Sequence, residues 1–323
     1  MAQVMDHDRF QELLWSFAAH RVITVAGRTR MLTELSRESL GAEEIAARLH
    51  LAPLPVRKML AALAALGVVD LCADGAYRLA AALAPMFAEG DFPAFLEHSH
   101  DMYDAWGEKL EPWVRGAEWS GRRRDAVGIA RFGAAMHAMG RTVAARVAEA
   151  VDISASRRMI DLGGGVGQYA EAFCRANPTL TAVVVDVPEV ARLGRERLAG
   201  TDLEARIAFE GGDYIDGSSG SGFDLALLAN VLHQEPADRA AALVARAASE
   251  LVPGGRMLVV DFTIEGEPAS IPVGALFAVN MRSRGDTYSE GALRGFAASA
   301  GLARFSRTDV GSHRAAWSAW KPA

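Results

Sequence analysis

The chain has 323 residues, half of them hydrophobic, and a net charge of −6, which is long for one core and suits two domains. The negative balance offers no general attraction for nucleic acid or anionic lipid. Cys72 and Cys174 lack the spacing of a zinc site or the density of a disulfide framework, no apolar run nears the roughly 20 residues of a membrane span, and Asp6, Asp8 and Arg9 precede any apolar stretch; a cytoplasmic protein with no nucleic-acid or membrane partner is expected.

From 9 to 37, Phe10, Leu13, Leu14, Phe17, Val22, Val25, Met31, Leu32 and Leu35 recur at helical spacing and predict two helices interrupted near Gly27. Ala42–Leu49 and Leu54–Leu66 read as a helix pair with a tight turn at Pro53, and Gly67 stands where a C-cap belongs. Val68–Cys72 and Ala76–Leu79 flank Asp74-Gly75, a hairpin signal that turns the pair into a winged helix. Over Gly41–Leu83 four basic residues, Arg48, Arg57, Lys58 and Arg78, stand against four acids, Glu43, Glu44, Asp70 and Asp74. A neutral wing binds phosphate poorly, so packing against another subunit is the expected role. Residues 86–150 read as helical and aromatic (Phe87, Phe92, Phe95, Tyr103, Trp106, Trp113, Trp119), with Arg122-Arg123-Arg124 as a solvated turn.

From 151 onward strands alternate with helices: Met159–Leu162, helix 167–176, Ala182–Asp186, helix 188–199, Ile207–Glu210, Leu225–Asn230, helix 236–251 and Met257–Phe262. Such alternation implies a parallel sheet covered on both faces. Leu302–Arg307 and Ala315–Trp320, around Gly311, predict an antiparallel hairpin at the sheet edge.

The chemistry concentrates at the strand ends. Asp161 precedes a loop with Gly163, Gly164, Gly165 and Gly167, where backbone can approach a nucleotide-like ligand and a helix beginning near Val166 presents its N–H groups. Asp186 ends the next strand, Gly212-Asp213-Tyr214 follows the third, and the fourth runs into Asn230-Val231-Leu232-His233. Gly163-x-Gly165 followed by an acid about 20 residues on also suits a dinucleotide, but that fingerprint wants a third glycine where Gln168 stands.

In order and spacing these motifs resemble the bacterial and plant small-molecule O-methyltransferases of acetylserotonin and caffeate type, which use S-adenosylmethionine (SAM). The resemblance extends over nearly the whole chain. It implies an α/β fold, a class I Rossmann-like methyltransferase with a mostly parallel seven-stranded sheet over 151–323, joined to a mainly helical winged-helix dimerisation domain over 1–110 by a helical linker, 111–150. It also implies a homodimer, a small-molecule acceptor, SAM as methyl donor and S-adenosylhomocysteine (SAH) as product. The cofactor residues it implies are Asp161, Gly163, Gly164, Gly165, Asp186, Val187, Gly212, Asp213, Tyr214 and Asn230. Asp186 would bond the ribose hydroxyls, Asp213 the adenine amino group, and Tyr214 would lie beside the ring. Ala229-Asn230 stands where relatives often carry a lysine.

Methyl transfer is an in-line displacement that needs the acceptor oxygen held near the methyl. A phenol is mostly protonated at neutral pH, so a base raises its reactivity, and histidine suits that task. By the resemblance His233 is that base, Asp261 orients it, and a second carboxylate falls near Asp286; Gln234-Glu235 departs from the acid and aromatic of most relatives. Phe132, Met136 and His137 on one helix, with Phe277, Asn280 and Met281 on another, would line the acceptor pocket. His233, His137 and Asp261 offer no local ligand spacing, and no metal is expected. Two other readings remain: methylation at carbon or nitrogen, or non-methylating SAM chemistry, on the same fold; and a SAM-sensing DNA-binding regulator.

Overall fold

The computed structural model describes residues 5–88, 92–118, 125–264, 273–281 and 285–323, which leaves Trp119 and Arg122-Arg123-Arg124 outside the described residues. The chain divides into two compact units, one holding the described residues up to Ala117 together with Ala134–Ala138, the other Glu118–Gly133 and Met139–Ala323.

The first unit is mainly helical: α1 (His7–Arg28), α2 (Met31–Leu35), α3 (Ala42–Arg48) and α4 (Pro53–Ala65), then the strands β1 (Val69–Leu71) and β2 (Tyr77–Leu79), α5 (Ala84–Ala88) and α6 (Phe92–Val114). The break expected near Gly27 falls at Arg30, which adopts φ 65°. Gly27 instead lies inside α1, where a Cβ would meet Leu96 Cδ1 at 2.5 Å, so its smallness lets α6 approach closely. Pro53 opens α4 at a position where its missing N–H costs nothing. Gly67 takes φ 70° just past the helix and Gly75 φ 85° in the hairpin, left-handed values that glycine adopts without strain. The core gathers Met31, Leu32, Leu35, Ile45, Leu60 and Leu63. Arg48 pairs with Glu34, Glu38 and Glu44, and Arg57 with Glu43, so these cations are already engaged by carboxylates.

Helix α7 (Ala126–Ala150) leads into the second unit, which alternates β3 (Arg158–Leu162), α8 (Gln168–Ala176), β4 (Thr181–Asp186), α9 (Pro188–Leu198), β5 (Ile207–Gly211), β6 (Phe223–Ala229), α10 (Ala237–Glu250) and β7 (Leu251–Phe262). There follow α11 (Val273–Asn280), α12 (Glu290–Ser299), β8 (Ala303–Gly311) and β9 (Arg314–Trp320). The seven strands are ordered β5-β4-β3-β6-β7-β9-β8, with β3 to β7 parallel and β9 antiparallel to both neighbours. Two apolar layers cover the sheet, one around Tyr169, Phe173, Leu225 and Leu258, the other around Phe223, Leu228, Leu243 and Trp317. The expected mostly parallel, seven-stranded α/β architecture is therefore the one observed. The C-terminal hairpin turns at Ser312-His313 (φ 51° and 59°), just past Gly311. Among the described residues no helix is long and apolar enough to cross a membrane, and no His, Cys, Asp and Glu cluster could hold a metal ion.

Candidate active site

Strand order reverses at β3, with β4 on one side and β6 on the other, and ligands of open α/β sheets sit beyond the carboxyl ends at such a point. The chain leaves β3 through Gly163 (φ 69°), Gly165 (61°) and Gly167 (87°), and α8 begins at Gln168, within the expected helix 167–176. At Gly164 the constraint is space, since a Cβ would stand 2.5 Å from Asp161 Cγ and 2.7 Å from Val184 Cγ1. The outer side of the loop is open. A Cβ on Gly165 would meet nothing nearer than Gln168 at 3.7 Å, and one on Gly212 nothing within 4 Å.

Asp161 lies beneath this loop, fully buried, and neither carboxylate oxygen has a hydrogen-bond partner. Burial, with a smaller contribution from Asp186, pushes its carboxyl up to about 8, so it is mainly neutral at pH 7. It therefore backs the loop from inside the sheet, while Asp186 faces the loop from the end of β4. Asp186 Oδ2 accepts the Gly165 N–H at 2.8 Å and Oδ1 accepts the Val187 N–H at 2.8 Å. Burial raises its pKa and these two bonds pull it back. Val187 itself is exposed. Beyond β5, Asp213 is exposed, and its Oδ1 accepts the N–H groups of Asp216 at 2.9 Å and Ile215 at 2.7 Å, which hold its carboxyl below the usual range. These are turn bonds that use one oxygen. The loop is further held by Arg246 Nη1, which donates to the Asp213 carbonyl at 2.6 Å, and by the Tyr214 hydroxyl, which donates to Glu235 Oε1 at 3.1 Å.

His233 lies in a single 3-10 turn, Leu232–Gln234, just past β6, and Asp261 lies near the end of β7. Both are buried, and His233 Nδ1 stands 2.6 Å from Asp261 Oδ1, which also accepts the Phe262 N–H at 2.8 Å. Against an ionised carboxylate, which can only accept, Nδ1 would be the donor, and a neutral ring would then leave Nε2 to accept. Phe277 of α11 packs edge-on to the imidazole, with centroids 4.8 Å apart at 83°, and stacks on Phe262 at 4.0 Å. This arrangement can take up a proton at Nε2 while Asp261 stabilises the resulting charge.

Asn230, between β6 and that turn, adopts φ 53° and is held on both sides: its Nδ2 donates to the Tyr169 hydroxyl at 3.0 Å, and its Oδ1 accepts from Arg314 Nε at 3.0 Å. Burial pushes the Tyr169 hydroxyl up to about 12 and lowers the pKa of Arg314. Neither Tyr169 nor Arg314 is in the site read from the sequence. A charged residue heading the otherwise apolar stretch Arg314-Ala315-Ala316-Trp317 is the one signal of it there.

The remaining expected residues scatter more. Asp286 is exposed, and its described hydrogen bond comes from the Thr287 N–H at 2.8 Å, so the structure does not bring it onto the imidazole. Asn280 and Met281 are half-buried at the end of α11. Phe132 is half-buried beside Gly133, whose position is 3.3 Å from Val166 of the glycine loop for an added Cβ. Met136 and His137 belong to the other unit.

A sequence-family profile described as an O-methyltransferase domain matches residues 101–303. The chain is 27% identical over 282 residues, 81% of its length and 79% of the relative's, to the 3-hydroxy-5-methyl-1-naphthoate 3-O-methyltransferase of Streptomyces sahachiroi. It is 27% identical over 284 residues, 84% of its length and 83% of the relative's, to the tetracenomycin polyketide synthesis 8-O-methyl transferase of Streptomyces glaucescens. Its fold is that of human N-acetylserotonin methyltransferase, solved in complex with SAM, at TM-score 0.86, 21% identity and full coverage of both chains.

Proposed function

The chain belongs to the O-methyltransferase family, and from that premise we propose that it moves a methyl group from SAM to a hydroxyl of a small aromatic or polyketide-like metabolite, with His233 as general base. The observation that supports this reading most is the buried His233–Asp261 pair, 2.6 Å apart, at the strand ends beside an open glycine loop. The aromatic and polyketide nature of the acceptors named for the Streptomyces relatives supports the acceptor class.

The open backbone at Gly165 and Gly212 fits a nucleoside-bearing cofactor. Gly163, Gly164 and Gly165 would admit it, Asp186 and Val187 would meet its ribose edge, Gly212, Asp213 and Tyr214 its base, and Asn230 would close the site. Bound SAM supplies an electrophilic methyl on a positively charged sulfur. His233 Nε2 takes the acceptor's hydroxyl proton as that oxygen becomes nucleophilic, and Asp261 keeps the ring in the tautomer that allows this. Phe277 and Phe262 shield the imidazole from water on one side. Phe132, Asn280 and Met281 line the acceptor side in this reading. Asp286 takes no direct part in this step, since its carboxylate accepts the Thr287 N–H and is not bonded to His233.

Incubation with methyl-labelled SAM and a panel of phenols and naphthols, followed by product analysis, tests the proposal. Label in an aryl methyl ether is the expected result. Label at carbon or nitrogen would move the chemistry to those acceptors, and loss of label without any methylated product would exclude transfer.

The same reading makes residues 1–110 a winged-helix dimerisation domain, 111–150 a linker and 151–323 the catalytic domain. Phe10, Leu14, Trp15 and Phe17 of α1 are each more than half exposed, an apolar surface that a second copy would cover. Light scattering is expected to report about twice the chain mass, and a clean monomer at micromolar concentration with full turnover would contradict it. The ion-paired Arg48 and Arg57 argue against a DNA-binding role, and free Cys72 and Cys174 fit a reducing cytoplasm.

A further inference from the structure

Arg314 is 7% exposed, yet among the described residues it forms no ion pair with a carboxylate. A buried cation without a direct partner is expensive to keep, and its surroundings show what it is held against. In the β7–β9 register it stands opposite Phe262, the residue after Asp261, and its Cζ lies 3.9 Å from the centre of the Phe262 ring. Its Nε donates to Asn230 Oδ1 at 3.0 Å, and its Nη1 to the Ser312 carbonyl at 3.1 Å. Asn230 leads directly into the turn that carries His233. The guanidinium thus touches Phe262, next to Asp261 in the chain, and Asn230, three residues before His233. Phe262 in turn stacks on Phe277, which packs against the imidazole.

We propose that Arg314 is a positioning residue for the His233–Asp261 pair: its guanidinium braces Asn230 and Phe262, and its charge keeps His233 in the neutral, proton-accepting state. The inference deepens the general-base reading and rests on it. The sign follows from charge. With Asp261 ionised and His233 neutral the pair is negative, which a nearby cation favours; protonating the imidazole neutralises the pair and forfeits that attraction. The other titratable groups around the pair do not supply this effect. Tyr169 on α8 and Tyr288 before α12 interact with Asp261 and are neutral phenols at pH 7. Glu235, Asp238 and Asp286 are anions that interact with Tyr288. Arg239 is a cation but is paired with Glu235 and Asp216.

The test is NMR titration of the histidine rings in the full-length protein, with the His233 signal identified by its absence in His233→Gln. In Arg314→Gln the His233 midpoint is expected to rise by on the order of one pH unit, and in Arg314→Lys, which keeps the charge, to stay within roughly 0.3 of the native value. Arg314→Met serves where the glutamine variant does not fold. A purely structural arginine would shift the ring signals in all three variants without separating lysine from the neutral side chains. A native midpoint in a folded neutral variant overturns the proposal; so does failure of both neutral variants to fold while Arg314→Lys folds. This readout needs no acceptor. A result against Arg314 is therefore distinct from a result against hydroxyl methylation, which the labelled-SAM experiment decides.

Discussion

His233→Ala is expected to bind SAM as the native protein does and to turn over a phenolic acceptor about 10²–10⁴ times more slowly. The imidazole is committed on one side to Asp261, with Phe277 packed against its ring, and in the general-base reading its other nitrogen serves the acceptor. Loss of the base leaves the acceptor hydroxyl protonated at neutral pH. Raising the pH ionises a phenol in solution, and the variant should recover part of its rate as the acceptor's own pKa near 10 is approached. Asp261→Asn should cost less. An amide can still accept from Nδ1–H but no longer offsets the charge of the protonated ring, and it can instead donate and select the wrong tautomer. Steady-state rates across pH, with SAM binding followed by calorimetry, check both variants. A fully active His233→Ala would remove the base from the mechanism and leave positioning as the source of rate. A dead variant without rescue at high pH would point to a carbon acceptor or a structural histidine.

Asp186→Ala should lose SAM affinity steeply. Charge-assisted hydrogen bonds to the ribose hydroxyls are each worth roughly 1.5–3 kcal/mol, or about ten- to hundredfold in affinity per bond. The structure adds a second cause. The same carboxylate bonds the Gly165 N–H, so the alanine variant also releases the glycine loop from β4. Asp186→Asn separates the two effects, because its one amide oxygen can still accept the Gly165 N–H while the charge is gone. Titration calorimetry reads the order expected: native tightest, asparagine intermediate, alanine weakest. Unchanged affinity in the alanine variant, or tighter binding of NAD than of SAM by the native protein, would defeat the cofactor assignment.

The parts of this site legible in the sequence are those where local chain geometry dictates residue type. Positive φ at Gly163, Gly165 and Gly167 demands glycine, and an acid at a strand end beside that loop stands out from the apolar run before it. His233 and Asp261 are 28 residues apart and lie just past β6 and near the end of β7, neighbouring parallel strands, a distance that strand and helix alternation predicts. What the sequence hides is pairing set by tertiary packing. Asn230 meets Tyr169 across 61 positions and Arg314 across 84, and no local pattern encodes either contact. Asp161 reads as a site acid because of its place, but only the packing of Gly164 over it reveals that it backs the loop from inside. Helix α12 has no counterpart among the sequence-predicted elements, since Gly291 and Gly295 dilute its apolar periodicity; the Ser289 hydroxyl accepting the Ala292 N–H marks its start. Gly27 shows the opposite error, a glycine that suggests a break and instead permits helix contact.

The placing of β9 between β7 and β8 has a consequence for how the protein comes to exist in the cell. During synthesis the strands β3 to β7 emerge before β9 and can assemble their parallel ladder in order, but the strand that covers the outer edge of β7 comes only after α11, α12 and β8. Until β9 leaves the ribosome, β7 is an open edge, Phe262 lacks its guanidinium, and Asn230 lacks one of its two anchors. Such an edge is a template for wrong pairing with other chains, and the partner that closes it must return past the whole of α11 and α12. The growing chain can therefore have its glycine loop in place well before Asn230 and Phe262 gain their contacts with β9.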